Sequence, residues 1–195
     1  MNLVTYSLTV SLDGYIKGPD GSFDWGVPGP ETFAAATAEV RGLGVHLMGR
    51  RLYETMLYWE TAAQEQDLDD AEREFARIWN ALPKVVFSAT LSPDELVGQA
   101  RLAQGGLRSE VERWRTVLPD GVDLAIGGAQ LAHAAMAEGL IDEYRIRVSP
   151  LLLGGGTPYF ARDDRREDLE LIDSRVLDGQ CAYLRYRVRQ APVVP

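Results

Sequence analysis

The chain has 195 residues, 46% of them hydrophobic, and a formal charge of −9, enough length and apolar content for one domain with a substantial core. That acidity argues against sequence-independent nucleic-acid binding and against an anionic membrane surface, both of which need a basic face. A single cysteine, Cys181, and two separated histidines, His46 and His133, give neither an intrachain disulfide nor a metal-ligand pattern. The start lacks the basic n-region and apolar core of a signal peptide, and no run approaches the ~20 apolar residues of a membrane span. The expectation is a cytoplasmic protein working without a metal.

Along the chain, Leu3, Val4, Tyr6, Leu8 and Val10 alternate with Thr5, Ser7, Thr9 and Ser11, a strand pattern that ends at the Asp13-Gly14 turn. Residues 18–30 are crowded with Gly and Pro and predict a loop. Residues 31–41 read as a helix with Phe33 and Val40 on one face. Residues 45–48 form a short apolar strand, and GRRLYETML after it predicts a strand-to-helix turn. Residues 67–82 form an acid-started helix closed by Pro83. Lys84-Val85-Val86-Phe87 predicts a buried strand. Leu107, Val111, Trp114 and Leu118 share one face of an amphipathic helix. Residues 122–126 predict a strand running into Gly127-Gly128, and AQLAHAAMAEGL reads as the helix that follows. Residues 141–148 form a further strand. Residues 170–176 and 182–188 flank Asp178-Gly179, a hairpin signal. Gly154-Gly155-Gly156 with Pro158 predicts a tight connection that buries Phe160.

Strands alternating with helices imply an α/β fold with a mostly parallel sheet flanked by helices on both faces, closed by an antiparallel hairpin. One domain is expected over residues 1–190, with 191–195 fraying.

The run Leu124-Ala125-Ile126-Gly127-Gly128-Ala129-Gln130-Leu131 carries the most chemistry. Between a strand and a helix, backbone N–H groups converge at the positive end of the helix dipole, and glycine leaves a phosphate room to approach. Two more segments end strands at the same rim, where open α/β sheets bind ligands. Gly49-Arg50-Arg51 adds two guanidinium groups suited to phosphate oxygens, and Ser88-Ala89-Thr90 adds two hydroxyls. Each has a plainer reading as a turn or a solvated surface, but together they point to a nucleotide cofactor.

VSLDGYI, MGRRLYETM, KVVFSATL, LAIGGAQLAHAAMAEGLIDEYRI and VSPLLLGGGTPYF, in this order, resemble the dihydrofolate reductase-like superfamily. The likeness is strongest to the reductase domain at the C-terminal end of bifunctional riboflavin-biosynthesis proteins and to its stand-alone relatives. It covers about residues 3–187 and implies a mixed, mostly parallel sheet and a nicotinamide cofactor, usually NADPH. By that likeness Gly49, Arg50 and Arg51 would contact cofactor phosphates, and Ser88 and Thr90 would face the adenosine 2′-phosphate region. Gly127 and Gly128 would lie against the pyrophosphate, with Ala129 and Gln130 opening the helix. Ser11 to Gly14 would pass near the nicotinamide, with the following loop as a lid. Relatives often pair through sheet edges and terminal strands, so a homodimer is expected. Two departures stand out. Ala89 replaces an arginine common in that turn, which brings NADH into play beside NADPH, with Arg101 or Arg108 as substitutes for the missing cation. Thr5, Ser7 and Thr9 replace a lysine-bearing strand, which argues against the ribosylated pyrimidine as substrate.

Hydride transfer needs a proton to follow, from a carboxylic acid or water. Asp13, at the end of the first strand, is the leading candidate, although Asp-Gly is also an ordinary turn. Glu31, after Trp25, imitates the acidic residue that grips the pterin in dihydrofolate reductases, although an acid in a first helical turn is also favourable by itself. Asp24 and Trp25 are candidates for the substrate wall. The expected function is an NAD(P)H-dependent reductase of a small pterin-like or pyrimidine-like heterocycle or a carbonyl compound. The rivals are a nucleotide-binding sensor or scaffold without catalysis, and an acidic structural homodimer. Replacing Gly128 by Val is expected to weaken cofactor binding several-fold with the fold retained, as read by calorimetric titration; unchanged binding would remove that turn from the site.

Overall fold

The alternation in the first strand puts Val4, Tyr6 and Val10 on one face of a sheet and Thr5, Ser7 and Thr9 on the other, and the resulting strand, β1 (Val4–Ser11), is paired in parallel on both sides. The computed structural model describes residues 1–65 and 67–189, so the fraying expected at 191–195 lies outside the described residues. The remaining elements are β2 (Tyr15–Lys17), α1 (Pro30–Arg41), β3 (Leu43–Gly49), α2 (Arg50–Glu65), α3 (Asp70–Ala81), β4 (Lys84–Phe87), β5 (Ala100–Leu102), α4 (Leu107–Val117), β6 (Asp123–Gly127), α5 (Ala129–Ala137), β7 (Glu143–Ser149), β8 (Thr157–Pro158), β9 (Leu169–Leu177) and β10 (Cys181–Val188). The main sheet has eight strands in the order β5-β4-β3-β6-β1-β7-β10-β9. The first six run parallel, and β10 and β9 close one edge antiparallel.

Residue parity along β3 and β4 splits the core in two. Val45, Leu47 and Val85 pack with Leu124, Ile126 and the inner faces of α4 and α5, including Val111, Ala132 and Ala135. Met48 and Val86 face the other way, against Tyr53, Phe75 and Trp79 of α2 and α3, with Phe33 and Val40 of α1 beside them. Helices therefore cover both faces, as the sequence pattern implies. No described helix is long and apolar enough to cross a membrane.

Three short strands escape the sequence reading: β5, β2 and β8 span two or three residues each, too few to display a period. The helix expected from residue 67 starts at Asp70, because the Asp69 carboxylate accepts Glu72 N at 2.8 Å while Glu72 accepts Asp69 N at 2.9 Å, a reciprocal cap. The expected burial of Phe160 is wrong: it is 44% exposed and Tyr159 is buried in its place. Tyr159 stacks on Tyr6 with ring centroids 4.3 Å apart, and its hydroxyl donates to Tyr6 O at 2.7 Å. A tyrosine whose hydroxyl finds a backbone acceptor loses little by full burial.

The polar face of β1 is not simply solvated. It lies beside Glu143, Arg145 and Arg147 of β7, and these join an ion-pair network. Glu39 of α1 receives Arg147 Nη1 at 3.1 Å, Tyr183 Oη at 2.9 Å and Ser7 Oγ at 2.5 Å. Glu143, with no exposed surface, receives Arg145 Nε at 2.7 Å and Arg185 Nη2 at 2.8 Å. Burial works to raise the Glu143 carboxyl, but the hydrogen bond and charge of Arg145, then of Arg185, outweigh it and hold the group below the usual range. Glu143→Gln would leave these arginines facing one another, and a loss of roughly 3–5 kcal/mol is expected. Urea unfolding checks this; a change under ~1 kcal/mol would show that the network is not what fixes β7 to β10.

Candidate functional site

Parallel pairing brings three strand ends to one rim. In the neighbouring strands β4, β3 and β6, Gly49 lies opposite Phe87 and Met48 opposite Gly127. α2 starts directly after Gly49, and α5 starts after Gly128, so two helix N-termini stand side by side. A Cβ added to Gly128 would lie 3.6 Å from Leu52 Cβ and 3.9 Å from Gly49 N, whereas one on Gly49 would meet nothing within 4 Å. Gly128 has φ +85°, a conformation that glycine adopts without strain. Its carbonyl accepts Ala132 N at 3.0 Å, leaving the amides of Ala129, Gln130 and Leu131 without intrahelical acceptors. Such amides at a positive helix end suit phosphate oxygens.

The two glycines of the pair do different work. A Cβ on Gly127 would stand 2.4 Å from both His46 Cε1 and Leu52 Cδ2, so Gly127 permits close packing beneath the cradle, and Gly128 faces it. The positive φ also revises the expectation for Gly128→Val, since a β-branched residue there strains the backbone as well as filling the approach. Stability must be measured alongside binding in that variant.

Arg50 bridges two of the turns. Its Nη1 donates to Thr90 Oγ1 at 2.6 Å, and its Nε donates to Glu54 Oε1 at 2.6 Å. Ser88 Oγ accepts Thr90 N at 3.1 Å and Leu91 N at 3.0 Å, which shapes the turn after β4. Arg51 and Gln130 are exposed on the first turns of their helices. Neither arginine suggested as a substitute at position 89 reaches this turn in its bonding: Arg101 pairs with Glu110 at 2.6 Å and Arg108 with Glu138 at 3.5 Å. Gly49, Arg50, Ser88, Thr90, Gly128, Ala129 and Gln130 thus share one rim, and the cradle fits a dinucleotide phosphate. Glu54 is the member that the sequence reading missed; its i,i+4 spacing from Arg50 was the available signal.

The acidic candidates lie outside the cradle. Asp13 Oδ1 accepts Ser11 Oγ at 2.6 Å and Leu153 N at 3.1 Å, and Oδ2 accepts Gly154 N at 2.7 Å. The hydrogen bond from Ser11, with those from Leu153 and Gly154, outweighs desolvation and keeps the Asp13 carboxyl below its ordinary range. A carboxylate held ionised in this way ties the connection after β7 to the end of β1 and is poorly suited to give up a proton. Glu31 Oε2 accepts Asp178 N at 2.5 Å, while Asp178 accepts Glu31 N at 2.9 Å and Thr32 N at 3.0 Å. The β9–β10 turn therefore caps α1 from 147 residues away, and Glu31 completes that cap instead of standing free over the rim. Gly29 leaves the space, since a Cβ there would lie 2.5 Å from Asp178 Cγ. Asp24 accepts Ser22 Oγ at 2.7 Å, and Trp25 is half-buried with its indole nitrogen enclosed and lacking a hydrogen-bond partner. Both lie in the single 3-10 turn, Asp24–Gly26, of the loop joining β2 to α1.

A cavity of about 480 Å³ lies at the far end of α5, between Met136, Tyr144, Phe160 and the connection carrying Arg165 and Arg166. Its arginines already pair with Asp163 and Asp168, and it shares none of the rim residues.

Comparison with known proteins agrees with this architecture. The family model described as the RibD C-terminal domain matches residues 2–114 and 124–183. YyaP of Bacillus subtilis (strain 168), described as uncharacterized, is 27% identical over 184 residues, covering 94% of this chain and 93% of that protein. A crystal structure of a putative riboflavin biosynthesis protein from Shewanella sp. PV-4 superposes with a TM-score of 0.75 at 25% identity, covering 96% of this chain and 99% of that one. RibD of Acinetobacter baumannii shares the fold, with a TM-score of 0.69 at 20% identity; 97% of this chain matches 58% of that longer one. With the family model covering most of its length, this chain belongs to the RibD C-terminal domain family.

Proposed function

We propose that the chain is a reductase that uses NADPH, or NADH, to reduce a small pterin-like or pyrimidine-like heterocycle or a carbonyl compound. The observation that carries this reading is the side-by-side placement of two helix N-termini, opened by Gly49 and Gly128, beside the Arg50–Thr90 bridge. Family membership supports reductase chemistry. When bound, the nicotinamide supplies the hydride, and the protein supplies position and charge. The amides that open α5 and α2 hold the pyrophosphate, with Gly127 keeping α2 close enough for both to reach it. Arg50 and Arg51 neutralise phosphate charge, and Ser88 and Thr90 line the adenosine end. Asp24 and Trp25 form part of the wall around the acceptor. Asp13 accepts backbone N–H groups on both oxygens and Glu31 on Oε2, so water would supply the proton that follows the hydride to the acceptor.

That same commitment of both acids favours one alternative, a nucleotide-binding protein without turnover. Steady oxidation of the cofactor with any acceptor separates the two. A homodimer in the cytoplasm is the proposed setting, and a sedimentation mass equal to the 21.6 kDa chain would contradict the dimer.

Calorimetric titration with NADPH and with NADH is the direct test. Micromolar binding of one of them is expected, with Arg50→Ala weakening it about tenfold, or ~1.4 kcal/mol. No heat from either nucleotide would remove the cofactor assignment and leave the fold alone.

A further inference from the structure

We propose that Glu54 makes this chain select NADH over NADPH, by engaging the one cation that an adenosine 2′-phosphate would need; this rests on the nicotinamide reading above. The two cofactors differ at a single position, a 2′-hydroxyl in NADH that is a 2′-phosphate in NADPH. Dinucleotide sites ordinarily meet the phosphate with an arginine and the hydroxyl with an acidic side chain that accepts its hydrogen.

The turn after β4, where the adenosine end rests in that reading, is bonded by one cation. Arg50 Nη1 donates to Thr90 Oγ1 at 2.6 Å, but Arg50 Nε donates to Glu54 Oε1, also at 2.6 Å. The hydrogen bond and charge of Glu54 hold the Arg50 guanidinium above its usual range, and the charge of Glu95 adds to them. One positive side chain thus answers two carboxylates. A 2′-phosphate, with a charge of about −2, would enter a field that is already negative on balance.

Other cations near this part of the fold are engaged elsewhere. Arg101 pairs with Glu110 at 2.6 Å, Arg108 with Glu138 at 3.5 Å, and the buried Lys84 with Glu60 at 2.8 Å. Arg51 stands about 100° further round α2 than Arg50. The turn's own amides are spent as well, because Ser88 Oγ accepts Thr90 N at 3.1 Å and Leu91 N at 3.0 Å. A phosphate would have to displace that hydroxyl to gain them. What the turn still offers is the hydroxyl hydrogens of Ser88 and Thr90, with Glu54 Oε2 beside them. Donors and an acceptor of this kind can exchange hydrogen bonds with a ribose diol. The Glu54 side chain is 44% exposed, so replacing it leaves the core untouched.

The test is calorimetric titration of the full chain, at low ionic strength, with NADH, NADPH, ADP and adenosine 2′,5′-bisphosphate. NADH is expected to bind at least about fivefold more tightly than NADPH, and ADP to exceed the bisphosphate by a similar ratio. Glu54→Gln releases Arg50 and should tighten NADPH about tenfold while moving NADH by less than about twofold. Glu95→Gln, which acts through charge alone, should shift NADPH in the same direction by a smaller factor. A loss of packing or of the α2 start would instead weaken both nucleotides together. Equal or tighter binding of NADPH by the wild-type protein would overturn the inference and leave the cofactor reading standing. Equal binding of ADP and the bisphosphate, or a Glu54→Gln variant that shifts both dinucleotides alike, would overturn it too. Failure of the wild-type protein to bind either dinucleotide would remove the cofactor reading itself, and this selection with it.

Discussion

At Gly127 the chain has no room for a side chain, since a Cβ would collide with His46 and Leu52 at 2.4 Å. That constraint sets the distance between α2 and the end of β6, and with it the spacing of the two helix N-termini. Leu52 could not lie against Gly128 if α2 stood further out, and Gly49 would no longer neighbour the start of α5. The histidine beneath is part of the same packing: burial pushes the His46 imidazole down to about 4, so it sits neutral under the rim and adds no cation there. The positive groups around the cradle are therefore the helix ends, Arg51, and Arg50, which pairs with Glu54.

The other half of the rim is organised by carboxylates bonded to backbone amides. Asp13 ties the end of β1 to the connection after β7, and Asp178 ties the closing hairpin to α1. The loop carrying Asp24 and Trp25 runs between these two anchors. Both acids sit lower than ordinary aspartates, chiefly through hydrogen bonds from Ser11 and from Thr32. Asp13, a catalytic candidate in the sequence, thus makes the bonds of a strut, as Asp178 does.

Elements with a clear period were legible in the sequence. The alternation of β1, the KVVF run of β4 and the Asp178-Gly179 hairpin all formed within a residue or two of expectation. The double-glycine turn also formed where expected, while its helix, read as running to Leu140, ends at Ala137. What escaped were contacts made by distant partners. Nothing in the spacing of Asp13 or Glu31 reveals that their oxygens are taken by residues 141 and 147 positions away. The partners of the polar side of β1 are hidden in the same way, because Glu39, Arg147 and Tyr183 converge on it only in the folded sheet. Phe160 and Tyr159 were exchanged for a related reason: hydropathy ranks phenylalanine first, and the buried backbone acceptor that favours tyrosine is a tertiary feature.

The paired helix N-termini are proposed to form a nucleotide cradle. The most direct measurement is a backbone amide NMR titration of the isotopically labelled protein with NADPH. The largest shifts are expected on Gly49, Arg50, Thr90, Gly128, Ala129 and Gln130. Shifts centred instead on the cavity between Met136, Tyr144 and Arg165, or no shifts at millimolar nucleotide, would contradict it.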